Sequence, residues 1–128
     1  MIGAMLDHVS IQCDDVSASA AFYDAVLAPL GYVRVWNSEH GAGFAEPGKA
    51  DKLNLFPRRD ASPPGAGFHL AFNAPSRAAV DAFYAAALHA GATDNGPPGL
   101  RLNYSPTYYA AFVIDPEGYR IEAVHQSR

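Results

Sequence analysis

The sequence has one cysteine, Cys13, among 128 residues. That excludes an intrachain disulfide and any metal site built from several thiolates, and it fits a reducing compartment. Cationic residues are also few: 9 Lys and Arg stand against 13 Asp and Glu, for a net charge of −4. Without a basic run there is no electrostatic footprint for nucleic acid or for an anionic membrane surface. No apolar stretch is long enough to cross a bilayer, and no basic start precedes an apolar segment, so the expectation is a soluble, cytoplasmic protein. What is abundant is hydrophobic residues, at 49%. A chain of this length and composition predicts one compact domain over residues 1–128 with a real core, and small-molecule chemistry is the function class that remains.

The chain is patterned as two similar halves. Leu6 to Cys13 alternates as a strand, with Val9, Ile11 and Cys13 on one face and His8, Ser10 and Gln12 on the other. A helix follows, with candidate caps at Asp14, Asp15 and Ser17, and Pro29 and Gly31 stop it. Short strands are expected at Tyr32 to Trp36, Gly43 to Glu46 and Lys52 to Pro57. The Pro- and Gly-bearing run from residue 58 to 67 reads as a linker between a first module of about residues 1–60 and a second of about 67–128. A strand from Phe68 to Asn73 and a helix capped by Ser76 and ending before Gly91 then repeat the opening. Sliding residues 8–27 by 61 positions produces seven identities, including His8 with His69 and Phe22-Tyr23 with Phe83-Tyr84. Ordinary composition would give roughly one or two. With a longer loop allowed in the second half, Leu53-Asn54-Leu55 corresponds to Ile121-Glu122-Ala123. The expected fold is α+β, two tandem βαβββ modules forming a curved mixed sheet around a cavity.

The last hairpin carries the most specific signal. Asp115-Pro116-Glu117-Gly118 suits a type I turn between strands Tyr108 to Ile114 and Tyr119 to Val124. Alternation places Glu122 opposite the apolar Ile121 and Ala123. His69 likewise faces away from Phe68, Leu70 and Phe72. Three metal-capable side chains, His8, His69 and Glu122, therefore point away from the greasy face of their strands, toward a common cavity if helices cover that face. Two imidazoles and a carboxylate would hold a divalent ion and leave coordination positions open, which is the pattern of a catalytic site. His40, His89 and His125 read as structural or exposed.

The motifs Leu6-Asp7-His8-Val9-Ser10, Ala21-Phe22-Tyr23, Phe68-His69-Leu70-Ala71-Phe72 and Asp115-Pro116-Glu117-Gly118 with Glu122 resemble those of the vicinal oxygen chelate superfamily. That superfamily includes glyoxalase I, extradiol dioxygenases, fosfomycin-resistance enzymes and bleomycin-binding proteins. The resemblance implies one divalent metal per chain, held by His8, His69 and Glu122, with Fe, Zn, Mn and Ni not distinguished by these ligands. It also implies a homodimer and a small substrate that chelates the metal through vicinal oxygens, in lyase, isomerase or ring-cleavage chemistry. Asn54 stands where glyoxalase I enzymes have a fourth ligand that takes the substrate proton. An amide cannot act as that base, which argues against strict glyoxalase I chemistry and leaves Asn54 as a substrate contact.

Tyr104 and Tyr109 are the candidate catalytic hydroxyls, and Trp36, Phe44, Arg101 and Tyr108 the candidate substrate contacts. Only one of Tyr108 and Tyr109 can face the cavity, and alternation does not say which. The competing expectation is a metal-free, drug-sequestering binding protein of the same fold.

Overall fold

The computed structural model describes residues 5–59 and 65–127, so the middle of the expected linker lies outside the described residues. The first module runs β1 (Val9–Cys13), α1 (Val16–Leu27), a short 3-10 turn (Ala28–Leu30), β2 (Val33–Ser38), β3 (Gly41–Ala45) and β4 (Leu53–Pro57). The second runs β5 (His69–Asn73), α2 (Arg77–His89), β6 (Thr93–Asp94), β7 (Gly99–Leu100), β8 (Tyr109–Ile114) and β9 (Arg120–His125).

Local chemistry accounts for the helix ends. Asp15 caps α1 by accepting from the Ala18 N–H at 2.9 Å, and Ser76 caps α2 by accepting from Ala79 at 3.0 Å. Beyond each helix a glycine takes the left-handed conformation that side chains disfavour, Gly31 at φ 93° and Gly91 at φ 101°. Two strands had no expectation, the two-residue β6 and β7. Between them lies Asn95-Gly96-Pro97-Pro98, and two prolines without N–H groups break what would be one strand along β8. The first strand is also shorter than expected and begins at Val9, so His8 stands at its mouth.

The strands form two sheets, one per module. The order is β1-β4-β3-β2 in the first and β5-β9-β8 in the second, with β6 and β7 both along the far side of β8. The outer pairs β1/β4 and β5/β9 are parallel and the others antiparallel. Register repeats with the sequence. Val9 lies opposite Leu53 and Ser10 opposite Asn54, as Leu70 lies opposite Ile121 and Ala71 opposite Glu122. Asn54 and Glu122 therefore hold equivalent places.

Each sheet has one buried face. Ile11, Leu53, Leu55 and Phe44 from the first module join Ile121, Ala123, Ala111 and Val113 from the second in a single core that also takes in both helices. Tyr23 and Phe83, one aromatic from each of the repeated Phe-Tyr pairs, are fully enclosed in it. The two modules thus pack back to back, and the opposite face of each sheet is left outside this core.

A polar knot crosses the seam between modules. Asp115 accepts from the backbone N–H of Glu117 at 2.9 Å and of Tyr119 at 2.8 Å, and its other oxygen accepts from the Tyr23 hydroxyl at 2.5 Å. Burial pushes the Asp115 carboxyl above the ordinary carboxylate value, and those three hydrogen bonds pull it back. Glu117 accepts from the Asp14 and Asp15 N–H groups just before α1, and pairs with Arg58 at 3.0 Å. The Tyr119 hydroxyl donates to the Gln12 carbonyl at 2.6 Å.

Removing the Tyr23 hydroxyl should therefore weaken the whole domain. Tyr23→Phe is expected to lose roughly 1.5–3 kcal/mol in urea denaturation at neutral pH, the range for a hydrogen bond to a charged group. Because the hydroxyl favours the ionised carboxylate, its loss raises the Asp115 carboxyl further. The stability deficit should then shrink as pH falls and Asp115 becomes protonated in both proteins. A deficit independent of pH would show that the hydroxyl does not act through Asp115.

Candidate functional site

On the second module, β5, β9 and β8 together present one continuous face. By register and alternation it carries His69, Ala71 and Asn73 from β5, Arg120, Glu122 and Val124 from β9, and Ala110, Phe112 and Ile114 from β8. His69 and Glu122 meet there, Nε2 to Oε1 at 2.6 Å. The Glu122 residue is only 3% exposed, whereas the His69 side chain is 40% exposed. A buried carboxylate needs partners on both oxygens, and the second one accepts from the Tyr108 hydroxyl at 2.5 Å. The sheet supplies the cause of this arrangement: β9 is a central strand, so Glu122 is flanked on both sides, while β5 is an edge strand that leaves His69 open.

This settles the tyrosine pair. Tyr108 reaches Glu122, and Tyr109 points to the helix side, where its hydroxyl donates to Asp81 of α2 at 2.6 Å. Tyr109 is thus not brought to Glu122, because one residue along a strand reverses the face. Tyr104 sits outside, 62% exposed, with its ring 5.0 Å from that of Tyr108.

Next to His69 the face continues as a stack. The Phe112 ring lies 5.8 Å from the His69 ring, tilted by 33°, and the Arg101 guanidinium lies 5.2 Å from the Phe112 centroid. Arg101 is held by the Pro97 carbonyl at 2.6 Å.

The first module's outer face is built differently. Trp36 lies across β3, and its Nε1 donates to the Asn54 side-chain oxygen at 2.9 Å. The Asn54 amide nitrogen donates to Asp51 at 2.5 Å. Asn54 is buried with both ends of its amide engaged, so it props the indole and is not presented to a ligand. Space for the indole exists because Gly41 and Gly43 have no side chain: a Cβ on Gly43 would lie 2.0 Å from the Trp36 Nε1. Phe56 packs 5.9 Å from Trp36 and is partly exposed. Beside them is a groove of about 650 Å³ whose walls include Ser10, Gln12, His40, Phe56 and Arg59. Phe44, expected in an apolar wall with Trp36, instead faces the core, 1% exposed and against Tyr23. Its neighbour Gly43 takes the outer face, and alternation sends Phe44 inward.

His8 stands apart from His69 and Glu122. Its Nδ1 is 2.7 Å from Asp7 Oδ1, and its side chain is 48% exposed. Among the described residues no three of His, Cys, Asp and Glu come together as a metal cluster. One chain thus joins two of the three expected ligands. Asp7 was not foreseen as a partner for His8; the adjacency of an acid and a histidine before a strand was the available signal.

A family model for the Glyoxalase/Bleomycin resistance protein/Dioxygenase superfamily matches residues 5–123. The chain belongs to that superfamily. Among solved structures it is similar to a glyoxalase/bleomycin resistance protein from Albidiferax ferrireducens, with 32% identity, 97% of this chain and 100% of the other covered, and a TM-score of 0.83. A family enzyme from Burkholderia phytofirmans shares the fold at 23% identity, with 97% and 100% covered and a TM-score of 0.74. So does a genomically encoded fosfomycin resistance protein from Listeria monocytogenes at 16% identity, with 99% and 96% covered and a TM-score of 0.71. No curated protein matches the chain. No helix among the described residues is long and apolar enough to cross a membrane.

The Trp36 shelf has a direct check. Gly43→Ala should drive the indole off β3 and break its hydrogen bond to Asn54. Trp36 is the single tryptophan, so its fluorescence should move toward that of a solvated indole while the far-ultraviolet dichroism stays. Unchanged emission would mean that the shelf can absorb the methyl group.

Proposed function

We propose that the chain is a divalent-metal-dependent enzyme that acts on a small molecule bound through vicinal oxygens, working as a homodimer. The observation that carries this reading is the His69–Glu122 contact with Tyr108 behind it. An imidazole nitrogen and a carboxylate oxygen at one spot are suitable donors for a borderline divalent ion, and a hydroxyl on the second carboxylate oxygen is the kind of support that fixes a ligand's orientation. His8 fits the same role. With Nδ1 turned to Asp7, its Nε2 is the nitrogen left to bind, in the manner of a carboxylate–histidine–metal triad.

The modules pack back to back, so His8 of one copy would join His69 and Glu122 of a second, with the outer faces of unlike modules opposed across the dimer. Bound there, the ion would supply Lewis acidity toward substrate oxygens and stabilise negative charge developing on them. The chain's own residues do the rest. Trp36 and Phe56 offer an aromatic wall, and Tyr108 orients the Glu122 carboxylate. Asn54 in the place equivalent to Glu122 provides no base, which favours isomerase, lyase or ring-cleavage chemistry that does not need a carboxylate at that position.

The same His69–Glu122–Tyr108 chain satisfies itself by hydrogen bonds alone, which also suits a metal-free binding protein. Elemental analysis of protein purified without added metal or chelator, then reloaded with Fe(II), Zn, Mn or Ni, separates the two. The enzyme reading expects roughly one ion per chain, lost in His69→Ala and kept in His89→Ala. No metal before or after reloading would select the binding protein.

The shared site has its own measurement. His8→Ala and Glu122→Ala should each lose metal alone, but dissociated and reassociated together they should recover roughly one ion per heterodimer, since one of its two sites is then intact. No recovery in confirmed heterodimers would place all three ligands within one chain.

A further inference from the structure

We infer that the substrate of this site carries a carboxylate, and that Arg101 is the residue that selects it. The inference rests on the metal-dependent reading above and adds a substrate class to it.

Among the described residues the only hydrogen bond of the Arg101 side chain goes to the Pro97 carbonyl, which uses one of five N–H donors. Its flat guanidinium stacks over Phe112, and Phe112 lies against His69. Guanidinium and imidazole are therefore no farther apart than those two spacings laid end to end. The turn between β6 and β7 is shaped around the same group. A Cβ on Gly96 would come within 3.3 Å of one guanidinium nitrogen, and a Cβ on Gly99 within 3.1 Å of the other. Two glycines flank the arginine closely, and a partly exposed side chain that is stacked and bonded has already lost most of its freedom, so ligand binding has less entropy to overcome.

The charges on the site face favour an anion; Asp94, beside Gly96, is already engaged by the Tyr84 hydroxyl and the Gly96 N–H. Arg120 stands in register opposite His69 on the same face. The one carboxylate of that face, Glu122, is engaged by His69 and Tyr108 and is buried. A guanidinium presents a planar fork that matches a carboxylate through two parallel hydrogen bonds, whereas a tetrahedral dianion generally calls for several cations converging on it. The ligand that fits is a molecule with vicinal oxygens at one end and a carboxylate displaced from them by about the thickness of the Phe112 ring and its two stacking gaps.

Two probe pairs test this. For metal-free protein the probes are benzoate and phenylphosphonate, followed by calorimetry and by the ring-proton signals of Phe112. Benzoate should bind in preference to phenylphosphonate and should perturb Phe112, and Arg101→Gln should weaken it by about ten-fold or more, the loss of a charge-assisted pair. Arg101→Lys should recover only part, because the charge returns without the fork. For metal-loaded protein the probes are catechol and 3,4-dihydroxybenzoate, which differ only in the carboxylate. The acid should bind about ten-fold tighter, and Arg101→Gln should erase that advantage while leaving catechol affinity unchanged.

Equal affinity for benzoate in wild type and Arg101→Gln, or a preference for phenylphosphonate, would overturn the assignment. Arg101-dependent benzoate binding without any metal or catechol binding would instead keep the carboxylate site and remove the metal-dependent reading. Thermal unfolding of both variants should stay close to wild type, since Arg101 lies outside the shared core.

Discussion

The organising constraint is the burial of two carboxylates from a single turn at the seam between the modules. Asp115 is buried and Glu117 largely so, and each finds donors there. Besides the turn's own Glu117 and Tyr119 N–H groups, the donors come from the other module: the Tyr23 hydroxyl, the backbone before α1, and Arg58. Since an unpaired buried carboxylate is so costly, the relative placement of the two modules is tightly specified at this point. From the same turn β9 departs, with Glu122 three residues after Tyr119. The position of the candidate ligand is therefore fixed by contacts that lie on the far side of the sheet from it.

That constraint also decides what a single chain can assemble. By locking the first helix to the last hairpin, it joins the greasy faces of both sheets into one core. The outer faces, which carry His8 and Trp36 on one module and His69, Glu122 and Phe112 on the other, lie outside that core. The family model and the solved relatives establish the superfamily. The back-to-back packing gives a physical reason why a complete three-ligand site would call for a second copy.

Much of this was legible in the sequence, because alternation and repeats report directly on faces. His69 and Glu122 lie together on one face as parity required, and the 61-residue shift of the opening strand and helix reappears as an identical strand register around Asn54 and Glu122. Turn and cap chemistry located the helix ends and the last hairpin through Asp15, Ser76, Gly31, Gly91 and Gly118. What parity could not give was distance between elements. His8 shares the outward sense of His69, yet a common sense of direction on two separate sheets does not by itself bring side chains together. Phe44 and Tyr109 were misjudged for a related reason: an aromatic residue near a site is as useful to the core as to the cavity, and only the strand start decides which. The turn from Gly96 to Gly99 was silent because a pair of prolines hides a strand that β8 still recognises.

The repeat has also diverged in a way that assigns different work to equivalent places. In the second module the central strand offers a carboxylate, and a phenol holds one of its oxygens. In the first the same place offers an amide, and an indole holds it. The amide accepts from the indole and donates to the Asp51 carboxylate, so that side becomes a rigid shelf, made possible by the bare backbone of Gly41 and Gly43. Carboxylate and phenol leave a charge that an imidazole already approaches. One face thus carries a buried carboxylate and the other aromatic surface. A substrate laid between two such faces would meet electrostatic pull from one side and flat apolar contact from the other, which is the division of labour expected when one group must be polarised and the rest of the molecule only held.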